Sequence, residues 1–370
     1  MKILFLSSGA HVPSARFRIL PYLSHFRRDG HTCVLANSFP QKYDYFPWMG
    51  FRPSQLLKRS VRWWHWLRAR LSAFDVVFID REIFDDATTA MEQRFKECCG
   101  RLVLDLDDAV FLRHPEKFNV LLGLSDLVVC GNRFLMEKVR PHNDRLLHVP
   151  TCVDMQGYGC RADTRPDTPA DTAPAGTPDN SAATAWPPRP VVGWMGTTGN
   201  LKYLEVAAPA LRDAATRHDF ELRVVVPDIR PLESLDLTGV NVVHEPWRPA
   251  DEVAQLQQMD IGLMPLFPDQ EWDIYKCGLK LIQYLAVGTP GIAAPVGVNS
   301  EIIDDNRNGF VAQETSEWIA ALDTLLPDAD ERRRRGLRGR QTVEQKYSIQ
   351  ANYPVLRDAL QELINTGAQA

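Results

Sequence analysis

Short apolar blocks recur along this chain, and segments with helical periodicity separate most of them. In the first half the blocks are residues 2–6, 32–36, 75–79, 101–106, 127–130 and 146–149. The alternation starts again with residues 191–195, 221–226, 240–244, 261–265, 291–294 and 310–311. Most blocks are rich in Val, Ile and Leu, which is typical of strands buried on both faces. The pattern therefore predicts two α/β domains, each with a doubly wound parallel sheet.

A segment of different composition separates the two regions. Residues 161–189 are mainly Pro, Ala, Thr and Asp and contain almost nothing to bury, which is typical of a disordered linker. We assign residues 1–155 to a first Rossmann-like domain, 156–189 to an insert or linker, and 190–348 to a second such domain. In the remainder, 349–370, a helical pattern is long enough to cross back to the first domain.

Composition narrows the class of protein. With 370 residues, 45% hydrophobic and 24% charged, the chain resembles a globular protein with two cores. It has no apolar run of about 18 residues, so no membrane-spanning helix is predicted, and its apolar start is too short for a signal peptide. Seven cysteines without a C-x-x-C pair predict reduced thiols in a cytoplasmic protein, with no zinc site.

Charge is unevenly distributed along the chain. Residues 1–155 contain 22 Lys and Arg against 17 Asp and Glu, whereas the whole chain has a formal charge of −5. A basic first half predicts an anionic partner for that half, such as the inner face of a membrane. No pattern indicates binding to nucleic acid.

The most informative stretch is KCGLKLIQYLAVGTPGIAAPVGVNSE, residues 276–301. Its apolar residues predict a short helix that starts at about Leu279 and ends at the Gly-Thr-Pro sequence. Lys276 and Lys280 are four residues apart, on one face of the helix start, where free N–H groups attract anions. The stretch predicts a diphosphate site; an ordinary αβ unit with solvated lysines is the alternative.

A second candidate phosphate site follows the strand 191–195. The sequence Gly196-Thr197-Thr-Gly-Asn200-Leu-Lys202 places a glycine turn between a strand and a helix start, with a mobile cation near it. The spacing matches neither a dinucleotide fingerprint nor a Walker loop. A tight αβ turn is the alternative interpretation.

Taken together, these motifs resemble the donor domain of glycosyl transferases group 1, the family-4 type, which have the GT-B fold. The matching runs, in order, are VVGWMGTTGNLKYL, VVHEPWRPADEVAQLQQMDIGLMPL and KCGLKLIQYLAVGTPGIAAPVGVNSEIIDDNRNGFVA. The first half resembles a subgroup of these enzymes through SARFRILPYL, FIDREIF, LVLDLDDAVF, CGNRFLMEKV and HVPTCVD, and KYSIQANYPVLRDAL resembles their terminal crossing helix. The resemblance implies transfer of a sugar from a nucleotide-sugar to an acceptor hydroxyl, usually with retention of anomeric configuration.

The resemblance also assigns roles, with departures. The family places an Arg and a Lys on the donor diphosphate; Lys202 falls at the Lys position but Thr197 at the Arg position. Its Glu-x7-Glu pair falls on Tyr275 and Gln283, and Gln283 retains a carbonyl oxygen for a ribose hydroxyl. We expect Lys276 and Lys280 to replace the lost Arg. Gly196 and Asn200 belong to the same donor loop.

Further donor contacts are expected in the glycine-rich loop that follows the strand 291–294. Gly297, Asn299 and Glu301 match the loop that holds the donor sugar in the family. The acid at Glu301 is expected to contact the donor, and a helix-capping acid before Ile302 is the alternative.

The sequence Asp105-Leu-Asp107-Asp108 follows the strand 101–106. Family members often carry a His at the position of Asp107, so Asp107 and Asp108 are expected to orient sugar hydroxyls or assist proton transfer. A D-x-D pair is also how metal-dependent transferases of the other common fold, GT-A, bind manganese. Mg or Mn at Asp105 and Asp107 is therefore an alternative, but a metal-independent enzyme without a cofactor is favoured. Helix capping is a further alternative.

The acceptor is expected on the first domain. Gly9 permits close backbone approach in the first βα loop, and Arg16, Arg18 and Arg81 are candidates to meet an anionic group. The alternative is that these arginines only cover helix starts.

The stretch from Lys58 to Arg70 mixes cations with three tryptophans. Basic helices with tryptophans lie on anionic membranes, but successive residues point about 100° apart, so some tryptophans must pack inward. We favour a surface helix with snorkelling cations, with peripheral membrane contact as the alternative.

These observations predict a GT-B glycosyltransferase whose nucleotide-sugar binds between the domains. The lysines neutralise the departing diphosphate, and the acceptor is an unidentified hydroxyl compound, lipid-linked or polysaccharide. A nucleotide-sugar epimerase of the same fold and a catalytically idle binding subunit are the alternatives. The base, the sugar and the oligomeric state are not specified by the sequence.

Overall fold

Two parallel six-stranded sheets organise the chain. The structure is a computed structural model that describes residues 1–161 and 189–366. The first sheet has the order β2-β1-β3-β4-β5-β6; its strands are β1 (Lys2–Ser7), β2 (Thr32–Asn37), β3 (Phe74–Asp80), β4 (Cys99–Leu106), β5 (Leu127–Cys130) and β6 (Leu146–His148). The second has the order β12-β11-β10-β7-β8-β9; its strands are β7 (Val191–Met195), β8 (Glu221–Val225), β9 (Asn241–Glu245), β10 (Ile261–Met264), β11 (Gly291–Ala293) and β12 (Gly309–Val311).

Helices connect the strands and cover both faces of each sheet. In the first domain they are α1 (Pro13–Arg18), α2 (Leu20–Arg28), α3 (Phe51–Ser72), α4 (Ala90–Cys98), α5 (Pro115–Leu124) and α6 (Arg133–Val139). After the second domain begins they are α7 (Leu204–Ala215), α8 (Glu252–Gln257), α9 (Glu271–Ile274), α10 (Leu279–Ala286), α11 (Asn299–Ile302), α12 (Thr315–Leu325), α13 (Ala329–Thr342) and α14 (Ile349–Asn365). The predicted pair of doubly wound α/β domains is confirmed, because every predicted block is a strand within two residues of its predicted bounds.

Burial explains why the blocks form strands. All four residues of β5 and all five of β7 are buried, as expected for parallel strands with helices on both faces. Separate apolar clusters lie on the two faces of the first sheet. A third cluster, which includes Trp194 and Trp318, fills the second domain. The two domains thus have separate cores.

The last helix belongs to the second half in sequence but packs on the first domain. Tyr353 and Leu356 of α14 are in the cluster that contains Phe26. The Tyr353 hydroxyl donates a hydrogen bond of 2.7 Å to Asp29, and Arg101 on β4 donates one of 3.0 Å to the Leu363 carbonyl. Most of the predicted linker, residues 162–188, lies outside the described residues, as do residues 367–370.

A few contacts fix the second domain against the first near β5. The Asn132 side chain caps α6 and donates a hydrogen bond of 2.8 Å to the Tyr275 carbonyl. The Tyr275 ring meets Phe111 edge-on at 5.0 Å between centroids. These contacts hold the segment just before α10 against the first domain.

None of the helices in residues 1–161 and 189–366 has both the length and the apolar character needed to span a bilayer.

Packing of α13 depends on one glycine, which yields a prediction. A Cβ on Gly336 would lie 1.8 Å from the carbonyl oxygen of Gly288, in the turn that ends α10. Gly336→Ala must therefore separate two backbones and is expected to lower the free energy of unfolding by about 1–3 kcal/mol. Gly123→Ala is the matched control, because Gly123 also lies in a helix but its Cβ would meet open space; it should gain about 0.5–1 kcal/mol. Urea unfolding followed by circular dichroism measures both, and equal effects would contradict the packing.

A buried ion pair lies near the carboxyl end of the central strand β4. The Arg18 guanidinium donates to both carboxylate oxygens of Asp105, at 3.0 and 2.5 Å, and to the Val149 carbonyl at 2.6 Å. Both side chains are buried. Arg18→Met leaves the carboxylate buried without its partner and should cost about 3–5 kcal/mol.

The double variant Arg18→Met, Asp105→Leu removes both charges and is expected to recover most of this loss. Thermal unfolding of the two variants in parallel measures the difference. If Arg18→Met is as stable as the unmodified chain, the ion pair does not stabilise the fold.

Candidate active site in the interdomain cleft

A cleft lies where the carboxyl ends of the two sheets face each other. Its volume is about 470 Å³. The loops after β1, β3 and β4 supply one wall, and the loops after β7 and β9 together with the start of α10 supply the other. Ligands of open α/β sheets bind at this edge, because strand ends and helix starts converge there.

The start of α10 forms the cationic part of the second wall. Gly278, Leu279 and Lys280 line the cleft, and Gly278 precedes the helix with φ of +63° and provides no side-chain cap. The first-turn N–H groups of a helix have no partner within it. No acidic residue occupies this first turn. The helix therefore presents its positive end to the cleft without a built-in anion.

Two lysines add to this positive end. The Lys280 ammonium lies 5.4 Å from the centroid of the Trp194 ring, and its stem packs where a Cβ on Gly196 would be 2.9 Å away. The Lys276 ammonium lies 3.5 Å from an Asp273 oxygen. Burial, and then the charge of Lys276, lower the pKa of Lys280 to about 8. Burial disfavours the charged form of a lysine, and the carboxylates of Asp273 and Asp108 offset only part of this effect.

The opposite wall carries a carboxylate pair and an arginine. Arg81 donates two hydrogen bonds to Asp107, at 2.5 and 2.9 Å, and lies 4.0 Å from Asp108. Burial alone would raise the pKa of Asp107, but Arg81 outweighs it and the pKa is lowered. Burial raises the pKa of Asp108, and Arg81 offsets only part of that rise. The two carboxyl groups thus differ in acidity because of their surroundings.

An ion pair spans the cleft. Arg16 in α1 of the first domain donates two hydrogen bonds of 3.0 Å to Glu252 in α8 of the second. Glu252 also accepts from Trp247 Nε1 at 3.0 Å and from Gln283 Nε2 at 2.9 Å. The second Gln283 N–H bond goes to the Tyr158 hydroxyl, at 3.0 Å. Within the Gln283 side chain, both N–H groups are therefore used, and the carbonyl oxygen is left to accept a hydrogen bond from a ligand.

Most of the predicted site residues come together in this cleft. Those that line it are Arg16, Arg81, Asp107, Asp108, Gly196, Thr197, Asn200, Lys276, Lys280 and Gln283. They come from both domains and from regions far apart in sequence. The cleft is thus the meeting point of the motifs at both ends of the chain.

Lys202 lies beside the cleft, not in it. Its side chain is exposed and lines a separate surface hollow with Glu205 and Arg212. Its ammonium lies 5.4 Å from the centroid of the Tyr203 ring, and that of Lys276 lies 5.2 Å from the same centroid. Lys202, which was predicted to bind the donor diphosphate, is thus not among the residues that line the cleft.

Two predicted acceptor-side residues have structural contacts. Arg18 is buried against Asp105, so it does not face the cleft. Gly9 has φ of +135°, and a Cβ there would lie 2.8 Å from the Gln41 side chain. It lets the first loop pack on residue 41 and does not line the cleft.

Three predicted donor residues also lie outside the cleft lining. Gly297 has φ of +56°, and its Cβ would be 2.4 Å from the Ile274 carbonyl oxygen. Asn299 is buried and donates to the Ala294 carbonyl at 3.0 Å. Glu301 pairs with Arg133 of the first domain at 2.6 Å. These residues shape the loop and the domain contact.

Sequence reasoning missed other cleft residues. Tyr43, Trp247 and Glu252 line the cleft without having been predicted. Glu252 is an acid in the first turn of a short helix, where acids are common for reasons of helix stability. No sequence pattern distinguishes it from such an acid, and only the fold brings it to Arg16 and Gln283.

The carboxylates of the D-x-D sequence do not converge on one point. Asp105 binds Arg18 and Asp107 binds Arg81. Over residues 1–161 and 189–366, no group of three or more His, Cys, Asp and Glu side chains is placed to hold a metal ion.

Residues 189–328 match the family model of glycosyl transferases group 1. A D-inositol 3-phosphate glycosyltransferase from Nocardia farcinica is 28% identical over an alignment 222 positions long, which covers 56% of this chain and 45% of that protein. The same enzyme from Corynebacterium kroppenstedtii is 28% identical over 38% of this chain and 34% of its own length. The chain thus spans less than half the length of these two relatives.

Solved structures share the whole architecture. Sucrose-phosphate synthase from Thermosynechococcus elongatus has a TM-score of 0.73 at 13% identity, over 99% of both chains. HepE from Anabaena, solved in complex with UDP-glucose, has a TM-score of 0.62 at 15% identity, over 100% of both chains. Identities this low show the fold alone. The two domains together have the GT-B fold, and the second domain resembles the glycosyl transferases group 1 family over residues 189–328.

Proposed function

We propose that this chain is a glycosyltransferase that moves a sugar from a nucleoside diphosphate sugar to an acceptor hydroxyl. The observation that carries the proposal is the uncapped start of α10, which faces the interdomain cleft beside Lys276 and Lys280. A helix start with two adjacent cations suits a diphosphate better than a neutral or cationic ligand. The named activity of the two relatives and the UDP-glucose bound to HepE support the same class of donor.

The donor diphosphate is placed against the start of α10. Departure of the nucleoside diphosphate leaves negative charge on its oxygens, and cations already positioned in a partly dry cleft stabilise that charge most effectively. The Lys280 side chain packs against the Trp194 ring and against Gly196, which has no Cβ to displace it. Its position therefore changes little when the anion arrives.

The ribose is placed near Gln283 and Glu252. Both Gln283 N–H groups are already donated, so its carbonyl oxygen accepts a ribose hydroxyl. Glu252 already accepts four hydrogen bonds, two on each carboxylate oxygen, so it has no acceptor site left for the ribose. It acts by holding the Gln283 amide, which leaves the Gln283 carbonyl oxygen for the ribose.

Asp107 and Asp108 act on the sugar or the acceptor from the opposite wall. Neighbouring carboxyl groups with different pKa values are suited to separate roles in proton transfer and charge stabilisation. Asp107, held ionised by Arg81, orients hydroxyl groups. Asp108, with the raised pKa, is the group that exchanges a proton with the acceptor hydroxyl.

We further propose, on the family resemblance, that the anomeric configuration is retained and that no metal ion is required. Two measurements decide these points. The coupling constant of the anomeric proton in the product identifies the stereochemistry, and activity in excess EDTA tests the requirement for a metal ion.

The diphosphate assignment predicts the effect of removing both cleft lysines. In the wild type, a panel of nucleoside diphosphates is expected to raise the melting temperature, most strongly for the preferred base. Lys276→Ala with Lys280→Ala should weaken that binding roughly 100-fold, since each charge-assisted contact contributes about 1.5–3 kcal/mol. Titration calorimetry measures the dissociation constants.

Lys346→Ala is the control, because Lys346 is an exposed lysine in the helical segment that follows α13 and is outside the cleft lining. Lys202→Ala, made separately, tests the family's lysine position against the observed cleft. Unchanged binding in the double variant refutes the proposed site. Binding without transfer to any acceptor supports an idle binding subunit, and conversion of the nucleotide-sugar without an acceptor supports an epimerase.

The pKa of Lys280 predicts how binding depends on pH. Its pKa is lowered to about 8, so in the free protein the ammonium is present below that pH and is lost above it. An anion binds the charged form better, so nucleoside diphosphate affinity should fall as the pH rises through about 8. In Lys280→Arg the guanidinium stays protonated, and the profile should be flat. Calorimetric titrations across this range compare the two proteins, and an equal pH dependence would contradict the role of Lys280.

A further inference from the structure

Helix α3 buries polar side chains and exposes apolar ones, the reverse of an ordinary surface helix. Its four buried residues are Ser54, Lys58, Arg62 and Ala69. They are spaced so that they lie on one side of the helix. Two cations and a hydroxyl thus face the protein, where a surface helix normally buries an apolar stripe.

Hydrogen bonds explain why the polar side faces inward. Lys58 donates to the carbonyls of Lys42 and Asp44, at 2.6 and 3.2 Å. Arg62 donates to the carbonyls of Ala36 and Ser7, at 2.8 and 2.6 Å. These four acceptors end β1 and β2 or belong to the loop after β2. The cations therefore supply side-chain donors to carbonyls at the ends of these strands and in the following loop.

The outward side of α3 is apolar. Leu56, Trp63, Leu67 and Leu71 are spaced by seven, four and four residues, so they form one stripe, and Trp64 lies beside it. These five side chains are between 41% and 77% exposed. Of the three tryptophans in this stretch, only Trp66 packs against the core, and its Nε1 donates to the Arg94 carbonyl.

Other large hydrophobic side chains are exposed nearby in sequence. Phe39, Tyr45 and Trp48 are exposed in the loop before α3, and Phe51 is exposed at the first position of the helix. Thirteen large hydrophobic side chains are exposed in the described part of the chain, and ten of them lie between residues 39 and 71. Such a concentration is unusual for a protein surface that meets only water. We call the outward side chains of α3 (Leu56, Trp63, Trp64, Leu67 and Leu71) the α3 apolar face.

Its charge is entirely of one sign along the helix. Helix α3 contains six Lys and Arg residues and no Asp or Glu. Arg52 and Arg70 are exposed and flank the apolar stripe, whereas Arg59 is exposed but paired with Asp86 at 2.7 Å. The Arg94 guanidinium of the neighbouring α4 lies 4.6 Å from the centroid of the Trp63 ring. A partner for this face must be apolar in its interior and negatively charged at its surface.

We propose that the α3 apolar face binds the surface of an anionic lipid bilayer. Leucine and tryptophan side chains enter the boundary between head groups and acyl chains, and the flanking arginines meet the lipid phosphates. The inference goes beyond the proposed transferase activity and is independent of it.

A second copy of the chain fits this face less well. In a two-fold dimer the same surface meets itself, so the arginines of the two helices would approach each other without acids between them. Like charges at an interface cost free energy. A bilayer with anionic lipids instead supplies a negative charge opposite each arginine.

Vesicle sedimentation of the full chain tests the proposal. The chain should sediment with vesicles of phosphatidylcholine and phosphatidylglycerol and much less with phosphatidylcholine alone. Trp64→Ser with Leu67→Ser should weaken vesicle binding at least about tenfold through lost apolar burial. Arg52→Gln and Arg70→Gln should each weaken it about fivefold, with the loss confined to vesicles that contain phosphatidylglycerol.

Val120→Ser with Leu337→Ser is the matched control, since these side chains are also exposed and apolar but lie elsewhere; it should bind vesicles as the wild type does. Circular dichroism melts confirm that each variant is folded. The proposal is overturned if no vesicle captures the chain, or if the Trp64 and Leu67 variant binds normally. It is also overturned if sedimentation equilibrium shows a dimer that this variant dissociates, since a second copy then occupies the face.

Discussion

Two ammonium groups that lie close together in a partly dry cleft are unfavourable until an anion joins them, and the site depends on this constraint. Lys276 and Lys280 are brought together by the start of α10, and the helix dipole adds to the same excess of positive charge. Asp273, 3.5 Å from Lys276, and Asp108 supply carboxylates nearby. Even so, burial and then the charge of Lys276 keep the pKa of Lys280 at about 8. Under the proposed function, a bound diphosphate would place negative charge where the charged form of Lys280 is disfavoured.

The strands and the domain pair were predictable because burial on both faces selects Val, Ile and Leu in short blocks, and this signal is local. The cleft was predictable in outline for the same reason, since strand ends and helix starts alternate in known order. Individual roles were less so. Lys202 and Glu301 were assigned from positions in a motif, but a motif does not fix where a side chain points. Lys202 lies beside the Tyr203 ring, and Glu301 pairs with Arg133, which lies in the other domain. Arg18 looked like a free cation because its partner, Asp105, is 87 residues away. Glu252 had no distinguishing pattern at all.

Contacts between the domains account for two departures from the family motif. Tyr275 occupies the position of an acid, and its ring packs on Phe111 of the first domain. Gln283 occupies the position of the second acid, and it donates to Glu252, which is bound in turn by Arg16 across the cleft. A carboxylate at position 283 would face the carboxylate of Glu252 at hydrogen-bonding distance and repel it. This arrangement therefore favours the neutral amide of Gln283 in α10, and the negative charge is supplied by Glu252 in α8.

The polar inner side of helix α3 follows from a similar requirement. The ends of β1 and β2 and the following loop present carbonyl groups that need donors, and buried carbonyls without donors are costly. Lys58 and Arg62 supply those donors from one side of the helix, and the other side carries leucines and tryptophans. The inward hydrogen bonds do not require this, because polar residues on the outer side would leave the same inner contacts intact. Binding to an anionic bilayer, as proposed above, explains why the apolar side chains occur together with flanking arginines.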